Sequence, residues 1–212
     1  MAEPAELYDA ILTGNAKKAE EVTKAALAAG ADPSELLGNY MIPAMDEVGK
    51  RFECNEYFVP ELLIAARAMK TALVLLTPRL AAAGAKAVGR VVIGTVQGDL
   101  HDIGKNLVGS MLEGGGFQVV DLGVDVPPQK FIEAAKEKDG TIVALSALLT
   151  TTMTQMKLVI QALEAAGLRA KTKVIIGGAP ITQQYAEEIG ADGYSDNASG
   201  AVGLARILAT TG

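Results

Sequence analysis

The sequence of 212 residues has few of the residue types that build metal clusters or disulfides. It holds one cysteine, Cys54, one histidine, His101, and no tryptophan. A lone cysteine excludes an internal disulfide and any CxxC zinc or iron–sulfur site. A single histidine excludes a site built from several imidazoles of one chain. Any chemistry that needs an imidazole must therefore use His101.

Basic charge and long apolar runs are also scarce. The chain has 19 Lys and Arg against 25 Asp and Glu, a net charge of −6, whereas a nucleic-acid binder needs a basic face. The apolar run Ala72–Leu76 is far shorter than the roughly 18 residues that suggest a membrane span. The acidic N-terminus lacks the basic and apolar regions of a secretory signal. We expect a cytoplasmic protein that binds neither nucleic acid nor a membrane.

What the chain does have is a globular composition, with 50% hydrophobic and 21% charged residues, arranged in two halves. Residues 1–80 predict helices only. Asp32 before Pro33 predicts a helix start, and apolar residues then recur every three to four positions to Phe52. Four such helices with short connections predict an antiparallel bundle. Small residues and two glycines follow Pro78, which indicates a linker at 81–89.

From Arg90 the pattern changes to five short β-branched runs, each followed by a helical window. Five β–α units predict a parallel sheet with helices on both faces, in a domain over 90–212. The runs VVIGTV and TIVALS have almost no polar alternation, as strands buried on both sides do. Ligands in such sheets bind at the carboxyl ends of the strands, beside the switch point. We therefore look for functional residues there.

The segment Gly98–Asn106 follows the first strand and carries the only imidazole. It contains neither GxGxxG nor GxxxxGK[ST], so it does not predict a phosphate-binding loop. Asp99 lies two residues before His101, so its carboxylate can accept one imidazole N–H and leave the other nitrogen free. A carboxylate behind a histidine is typical of a metal-ligating imidazole, although a lone histidine is more often a structural residue.

Two further segments follow the third and fourth strands. Residues 150–152 are consecutive threonines, which are suited to cap a helix. Gly177 and Gly178 form either a tight turn or a gap without side chains, where a flat group can press against the backbone.

Taken together, Asp99-x-His101-x-x-Gly104, Ser146-x-Leu148 and Gly177-Gly178 resemble the cobalamin-binding signature of methionine synthase and of corrinoid methyl-carrier proteins. Residues 45–70 are similar to the helical cap of the same family. The resemblance implies a four-helix-bundle cap followed by a Rossmann-like, flavodoxin-like cobalamin-binding domain with five parallel strands. In size and layout the chain is similar to the stand-alone corrinoid proteins of methylamine, methanol or methoxylated-aromatic methyltransferase systems.

The resemblance also implies roles for individual residues. His101 is expected to be the lower axial ligand of cobalt, and Asp99 and Thr152 are expected to form a hydrogen-bonded relay behind it. Thr152 stands where methionine synthase has a serine. The remaining expected cofactor contacts are, under the corrin ring, Gly98, Leu100, Asp102 and Gly104; along the nucleotide slot, Ser146, Leu148, Thr150, Gly177, Gly178 and Ala198; and in the cap, Phe52, Val59, Leu62 and Leu63.

The function implied is that of a methyl carrier, not catalytic alone. The corrinoid would cycle between cob(I)alamin and methylcob(III)alamin. A substrate-specific methyltransferase would load the methyl group, and an acceptor methyltransferase would unload it to coenzyme M or tetrahydrofolate. A corrinoid reductive activase is a further expected partner.

Three alternatives stay open at this point. Cobalamin-dependent regulators and light sensors also place a helical cap on such a sheet, but the known ones use a cap tryptophan and a second histidine that this chain lacks. A subunit of an adenosylcobalamin mutase shares the signature without the bundle. A flavodoxin-like module without any corrinoid would leave His101 a structural residue.

Overall fold

The computed structural model of the protein describes residues 5–83, 87–138 and 141–210. The chain forms two compact units. The first comprises residues up to Ala87 together with Glu113–Gly116, and the second comprises Val88–Leu112 and the residues from Phe117 onward. Within the described ranges, no helix is both long enough and apolar enough to cross a membrane.

The first unit is helical, as predicted. Its elements are α1 (Ala5–Leu12), α2 (Ala16–Ala28), α3 (Pro33–Leu36), a π-helical turn (Leu37–Met41), α4 (Ile42–Glu53) and α5 (Val59–Ala82). The π-helical turn joins α3 to α4 without a break, so these three segments form the third helix that the sequence predicts. The helix start predicted at Asp32 is confirmed, because the Asp32 carboxylate accepts a hydrogen bond from the Ser34 N–H at 2.7 Å. This bond satisfies a backbone donor that has no partner within the helix.

The last helix of this unit is longer than predicted. α5 runs through Ala82 and so includes the first two residues of the segment predicted as a linker; residues 84–86 of that segment lie outside the described residues. Pro78 lies inside α5 and cannot donate to the carbonyl of Val74. That residue is 65% exposed, so water can solvate its carbonyl and the helix can continue.

The helices of this unit bury large apolar side chains against one another to form its core. The fully buried examples are Leu7, Ile11, Leu36, Met41, Leu62, Met69 and Leu76. Burial of each such side chain stabilises the fold by roughly 1.5–3 kcal/mol.

The second unit alternates strands and helices, as predicted. Its elements are β1 (Arg90–Thr95), α6 (Ile103–Gly114), β2 (Gln118–Asp121), α7 (Pro128–Lys136), β3 (Thr141–Ser146), α8 (Thr154–Ala165), a 3₁₀ turn (Arg169–Lys171), β4 (Lys173–Gly177), α9 (Gln183–Ile189), β5 (Gly193–Tyr194) and α10 (Ala198–Thr210). All strand pairs are parallel, in the order β2-β1-β3-β4-β5. This is the predicted Rossmann-like, flavodoxin-like sheet.

The strand order places the switch point between β1 and β3, because the chain leaves β1 toward β2 and returns to the other side of β1 as β3. The register brings the ends of three strands to one level, since Thr95 pairs with Ser146 and Ser146 pairs with Gly177. The segments that follow these residues therefore begin side by side at the carboxyl edge of the sheet.

Candidate functional site

The loop after β1 carries a carboxylate that the fold buries completely. Asp99 is 0% exposed, and five hydrogen bonds converge on it. Its Oδ1 lies 3.1 Å from the His101 backbone N and 2.9 Å from His101 Nδ1. Its Oδ2 accepts from Leu148 N–H at 2.8 Å, Leu149 N–H at 3.3 Å and the Thr152 hydroxyl at 2.7 Å. One buried carboxylate thus joins the loops after β1 and β3 across the switch point.

These donors decide the charge of Asp99. Burial on its own raises the pKa of a carboxyl group. The Leu148 and His101 N–H groups, the Thr152 hydroxyl and the imidazole outweigh burial, so the pKa of Asp99 lies well below its usual range. Asp99 is therefore an anion at neutral pH, and every polar group that faces it is arranged as a donor.

The predicted hydrogen bond between Asp99 and His101 is present, and it fixes the imidazole. Because the carboxylate can only accept, Nδ1 carries the proton in the neutral ring and Nε2 carries the free lone pair. The side chain of His101 is 53% exposed, and among the described residues Nε2 has no hydrogen-bond partner. The Thr95 hydroxyl donates to the His101 carbonyl at 2.8 Å, which anchors the backbone of the loop.

Thr152 is buried behind the carboxylate instead of capping α8, which begins two residues later. Its hydroxyl lies 2.7 Å from Asp99 Oδ2 and 2.9 Å from the Leu149 carbonyl oxygen. A hydroxyl has one proton, and the anionic acceptor is the stronger of the two. His101, Asp99 and Thr152 therefore form a continuous chain of hydrogen bonds from the surface to the interior.

The glycine pair after β4 has a structural reason of its own. Gly178 has φ +132°, and a Cβ at this position would lie 1.9 Å from the Ala147 carbonyl oxygen. No side chain fits there, because backbone cannot move aside as a flexible side chain does. At Gly177 a Cβ would lie 3.1 Å from the Ser195 carbonyl oxygen. The pair thus lets the segments after β3, β4 and β5 approach closely.

The other predicted site residues of this unit differ in exposure. Most are accessible at the carboxyl edge: Gly98, Leu100, Asp102, Gly104, Leu148 and Thr150 are exposed, and Ser146 and Gly177 are partly buried. Ala198 is buried, with 4% exposure, because it begins α10 and packs inward. A contact between Ala198 and the cofactor stays a prediction.

The four predicted cap residues lie in the helical unit and are not equivalent. Val59 and Leu63 are 41% and 48% exposed, and Phe52 is partly buried. Leu62 is fully buried, so its side chain packs in the core. Shielding of a cofactor by the side chains of Phe52, Val59 and Leu63 stays a prediction.

Sequence reasoning missed an apolar surface around His101. Five large apolar side chains in the connections after β1, β2 and β3 and at the start of α6 are exposed: Leu100 (72%), Ile103 (80%), Val124 (37%), Leu148 (41%) and Leu149 (42%). Such exposure is unfavourable unless a ligand or partner covers it. Leu100 and Leu148 were predicted from the family signature. Leu149 has a signal in the sequence, because it is a bulky apolar residue three positions after the buried strand β3. Val124 and Ile103 have no such signal, because β2 is partly exposed and Ile103 begins α6.

Sequence reasoning also missed a buried ammonium group beside the loop. The side chain of Lys105 is 2% exposed, and its Nζ lies 2.5 Å from Asp121 Oδ2 and 2.6 Å from Asn106 Oδ1. The Asn106 amide in turn donates to Asp102 Oδ2 at 3.0 Å. Lys105 therefore ties the first turn of α6 to the end of β2.

Comparison with known proteins agrees with this geometry. A B12 binding domain family matches residues 89–203, and a second B12 binding domain family matches residues 5–77. Trimethylamine corrinoid protein 1 of Methanosarcina acetivorans is 45% identical over 206 residues, covering 96% of this chain and 95% of that protein. Dimethylamine corrinoid protein 3 of the same organism is 44% identical, with coverage of 96% and 95%.

A solved structure extends the comparison to a complex. The methanol:cobalamin methyltransferase complex MtaBC from Methanosarcina barkeri matches with a TM-score of 0.86 at 31% identity, covering 98% of this chain and 79% of the matched chain. Both B12 binding domains are present, and the curated relatives match over nearly their whole length. The chain therefore belongs to the family of B12-binding corrinoid proteins.

Proposed function

We propose that this protein carries a methyl group on a bound corrinoid from a methylamine-specific methyltransferase to a second, acceptor methyltransferase. The observation that carries the proposal is the hydrogen-bonded chain His101–Asp99–Thr152, which leaves Nε2 free at the carboxyl edge of the sheet. Relatives of the trimethylamine and dimethylamine classes are almost equally identical to this chain. Methylamines are therefore the proposed class of methyl donor, and the proposal does not single out one methylamine.

The residues around His101 fit a corrinoid. A corrin is a broad, largely apolar ring with a metal at its centre, so its site needs one ligand atom surrounded by apolar contacts. Here Nε2 lies in a loop flanked by the exposed side chains of Leu100, Ile103 and Leu148. Gly104 adds open backbone, because a Cβ at this position would meet nothing within 4 Å.

His101 is the proposed protein ligand of the cobalt, which supplies the site where the methyl group is carried when the corrinoid is bound. Asp99 accepts from Nδ1 and thereby keeps the lone pair on Nε2, the arrangement that raises the basicity of a metal-binding imidazole. The 0% exposure of Asp99 strengthens this interaction, because little water screens it.

The same chain of hydrogen bonds can hold a proton when Nε2 is released. A released Nε2 has a free lone pair that can accept a proton, and the anionic Asp99, hydrogen-bonded to Nδ1, would face the positive charge of the imidazolium. Thr152 donates to the far oxygen of Asp99 and so keeps that oxygen from turning toward the ring. The proposed role of the three residues is to couple ligation at Nε2 to protonation of His101.

The remaining contacts follow from the family signature and are part of the proposal. Gly98, Leu100, Asp102 and Gly104 would lie under the ring. The slot for the nucleotide tail would be lined by Ser146, Leu148, Thr150, Gly177, Gly178 and Ala198. The close approach of Gly178 to Ala147 supports this slot, because it leaves that part of the edge without a side chain.

We further propose a division into a cap (1–80), a linker (81–89) and a cobalamin-binding domain (90–212). The boundary between the two compact units, which lies between Ala87 and Val88, supports this division.

A reductive activase is a proposed third partner, because a carrier whose cobalt has become oxidised needs an electron donor before it can accept a methyl group again. A cytoplasmic location is proposed as well, since the exposed thiol of Cys54 fits a reducing compartment.

The relatives do not favour the alternatives. They are trimethylamine and dimethylamine corrinoid proteins that match both units of this chain, so neither a light-sensing regulator nor a mutase subunit is supported. A module without corrinoid is not supported either, since both halves match B12 binding domains.

The presence of one histidine gives a direct test of the ligand. The protein is produced with ¹⁵N-histidine, loaded with unlabelled cobalamin and reduced to cobalt(II). Electron paramagnetic resonance should then show the nitrogen splitting of the cobalt lines change from a triplet to a doublet, because ¹⁵N replaces ¹⁴N at Nε2. A triplet that survives labelling would mean that the cofactor's own base is the ligand, and would contradict the proposal.

The carrier role is tested with the methyltransferases. Holo-protein is incubated with a methylamine methyltransferase and each of the three methylamines in turn, and the methylated corrinoid is followed by its absorbance. Transfer onward to coenzyme M or tetrahydrofolate is then measured with the corresponding acceptor methyltransferase. Methylation by none of the three amines would contradict the proposed donor class; the His101→Ala variant is the matched control for ligation.

A further inference from the structure

Asp125 is an exposed residue outside the family signature, yet it holds the loop that carries His101. It lies in the connection between β2 and α7, which crosses the end of β1. The Asp125 carboxylate accepts from the Gly98 N–H at 2.7 Å, and the Asp125 N–H donates to the Asp99 carbonyl at 2.9 Å. Two successive loop residues are thus fixed by one residue, through one side-chain and one backbone hydrogen bond.

The backbone conformation of Asp125 is what allows both contacts. Its φ is +52°, in the left-handed region, where Asp and Asn are tolerated better than most residues. Among the described residues only Asn55 shares this feature without being glycine. The connection is also held to β1 on each side, because Thr95 N–H donates to the Gly123 carbonyl and Val126 N–H donates to the Thr95 carbonyl, both at 3.0 Å.

We propose that Asp125 is a positioning residue for the axial imidazole. By fixing Gly98 and Asp99, it sets the Asp99 carboxylate where that group can meet His101 Nδ1, the Leu148 N–H and the Thr152 hydroxyl at once. Gly98 itself has φ +82°, so without a partner for its N–H this part of the loop has several accessible conformations. The role rests on the proposed function, because it concerns the nitrogen that the carrier uses.

Two substitutions separate the side-chain acceptor from the backbone. Asp125→Gly keeps a residue that adopts positive φ and keeps the backbone N–H, but it removes the acceptor for Gly98. Asp125→Asn keeps both the left-handed conformation and an Oδ1 acceptor. Asn55→Gly, at the other non-glycine position with positive φ, is the control for introducing a glycine at such a site.

The first measurement uses the apo-protein and ¹⁵N-histidine NMR at one pH where the imidazole is neutral. The wild type should show the Nδ1–H tautomer of the single histidine. In Asp125→Gly the ratio of the Nδ1–H to the Nε2–H tautomer should fall about fivefold, the factor that one ordinary hydrogen bond represents. Asp125→Asn and Asn55→Gly should keep the wild-type ratio, and all variants should keep a thermal midpoint within a few degrees of the wild type.

The second measurement is the ¹⁵N-dependent splitting in the cobalt(II) holo-protein at equal cofactor occupancy. Asp125→Gly should lower the ratio of histidine-ligated to unligated protein by about the same factor. A wild-type tautomer ratio in Asp125→Gly, or an equal loss in Asp125→Asn, would overturn the positioning role. If the apo result holds while wild-type holo-protein shows no ¹⁵N effect, the proposed ligation fails and the positioning of the imidazole by Asp125 stands.

Discussion

The two ends of β1 each bury one charged group, and they use it differently. At the amino end, Arg90 is 5% exposed; its guanidinium donates to the Ala134 carbonyl at 2.6 Å and pairs with the carboxylate of Glu137. At the carboxyl end, Asp99 is 0% exposed and accepts five hydrogen bonds. The partners of Arg90 are all structural, whereas one partner of Asp99 is an imidazole with a second, free nitrogen. A buried charge becomes functional when one of its partners has an atom left for a ligand.

The largest effect is expected from Asp99→Ala. The substitution leaves the Leu148, Leu149 and His101 N–H groups without their acceptor. The apo-protein should therefore lose about 3–5 kcal/mol of unfolding free energy, and histidine ligation should be lost. Urea unfolding measures the first and electron paramagnetic resonance the second. Asp102→Ala, at an exposed carboxylate of the same loop, is the control and should cost about 1 kcal/mol or less. Equal stability of the two variants would contradict the description of Asp99 as the central acceptor.

Because the pKa of Asp99 is lowered in the folded protein, the contribution of this carboxylate to the free energy of unfolding depends on pH. A carboxyl whose pKa is lower in the folded than in the unfolded protein stabilises the fold above the unfolded value, about 3.9 for Asp. This stabilisation is lost as the pH falls from there toward the folded pKa. The free energy of unfolding of the wild type should therefore decline below about pH 4. The Asp99→Asn variant should decline less steeply; parallel curves would contradict the ionised state.

Arg90→Met should destabilise the protein without changing the ligation of cobalt by His101. The change leaves the Ala134 carbonyl without its donor, but Glu137 is 69% exposed and can be solvated. We expect a loss of about 2 kcal/mol in urea unfolding, with an unchanged histidine-ligated fraction in the holo-protein. A change in ligation would show that the two ends of β1 are coupled and would break the comparison.

Thr152→Val should have the smallest effect. It keeps the shape of the side chain but removes one of the five donors to Asp99, so we expect a loss of about 1 kcal/mol. Histidine ligation should weaken by a similar factor of about five, and Thr152→Ser should restore it because the hydroxyl returns. A Thr152→Ser variant as impaired as Thr152→Val would mean that the methyl group, not the hydroxyl, matters.

The site was predictable where its contacts are local. Asp99 and His101 are two residues apart, so their hydrogen bond follows from the sequence alone. Thr152 is reached only through the family resemblance, because its contact with Asp99 spans 53 residues and depends on the pairing of β1 with β3. Asp125 was missed for the same reason, since 27 residues separate it from Gly98 and nothing local indicates which N–H its carboxylate accepts.

The fold was predictable where periodicity is strong. The five strands and the bundle helices follow from apolar spacing, but their ends do not. Helix α5 passes Pro78 because an exposed carbonyl can lose its partner, and a π-helical turn at Leu37–Met41 lies inside a helix whose apolar pattern is regular. Both depend on what surrounds the backbone, which the pattern of one segment does not contain.

Gly178 limits which substitutions are possible in a redesign of this protein for another cofactor. It directly follows β4 and lies far along the chain from His101. Yet any side chain at this position would push against the Ala147 carbonyl, and Ala147 is followed directly by the two N–H groups that hold Asp99. Enlarging the slot by mutation at residue 178 would therefore disturb the orientation of the imidazole from the other side of the sheet edge.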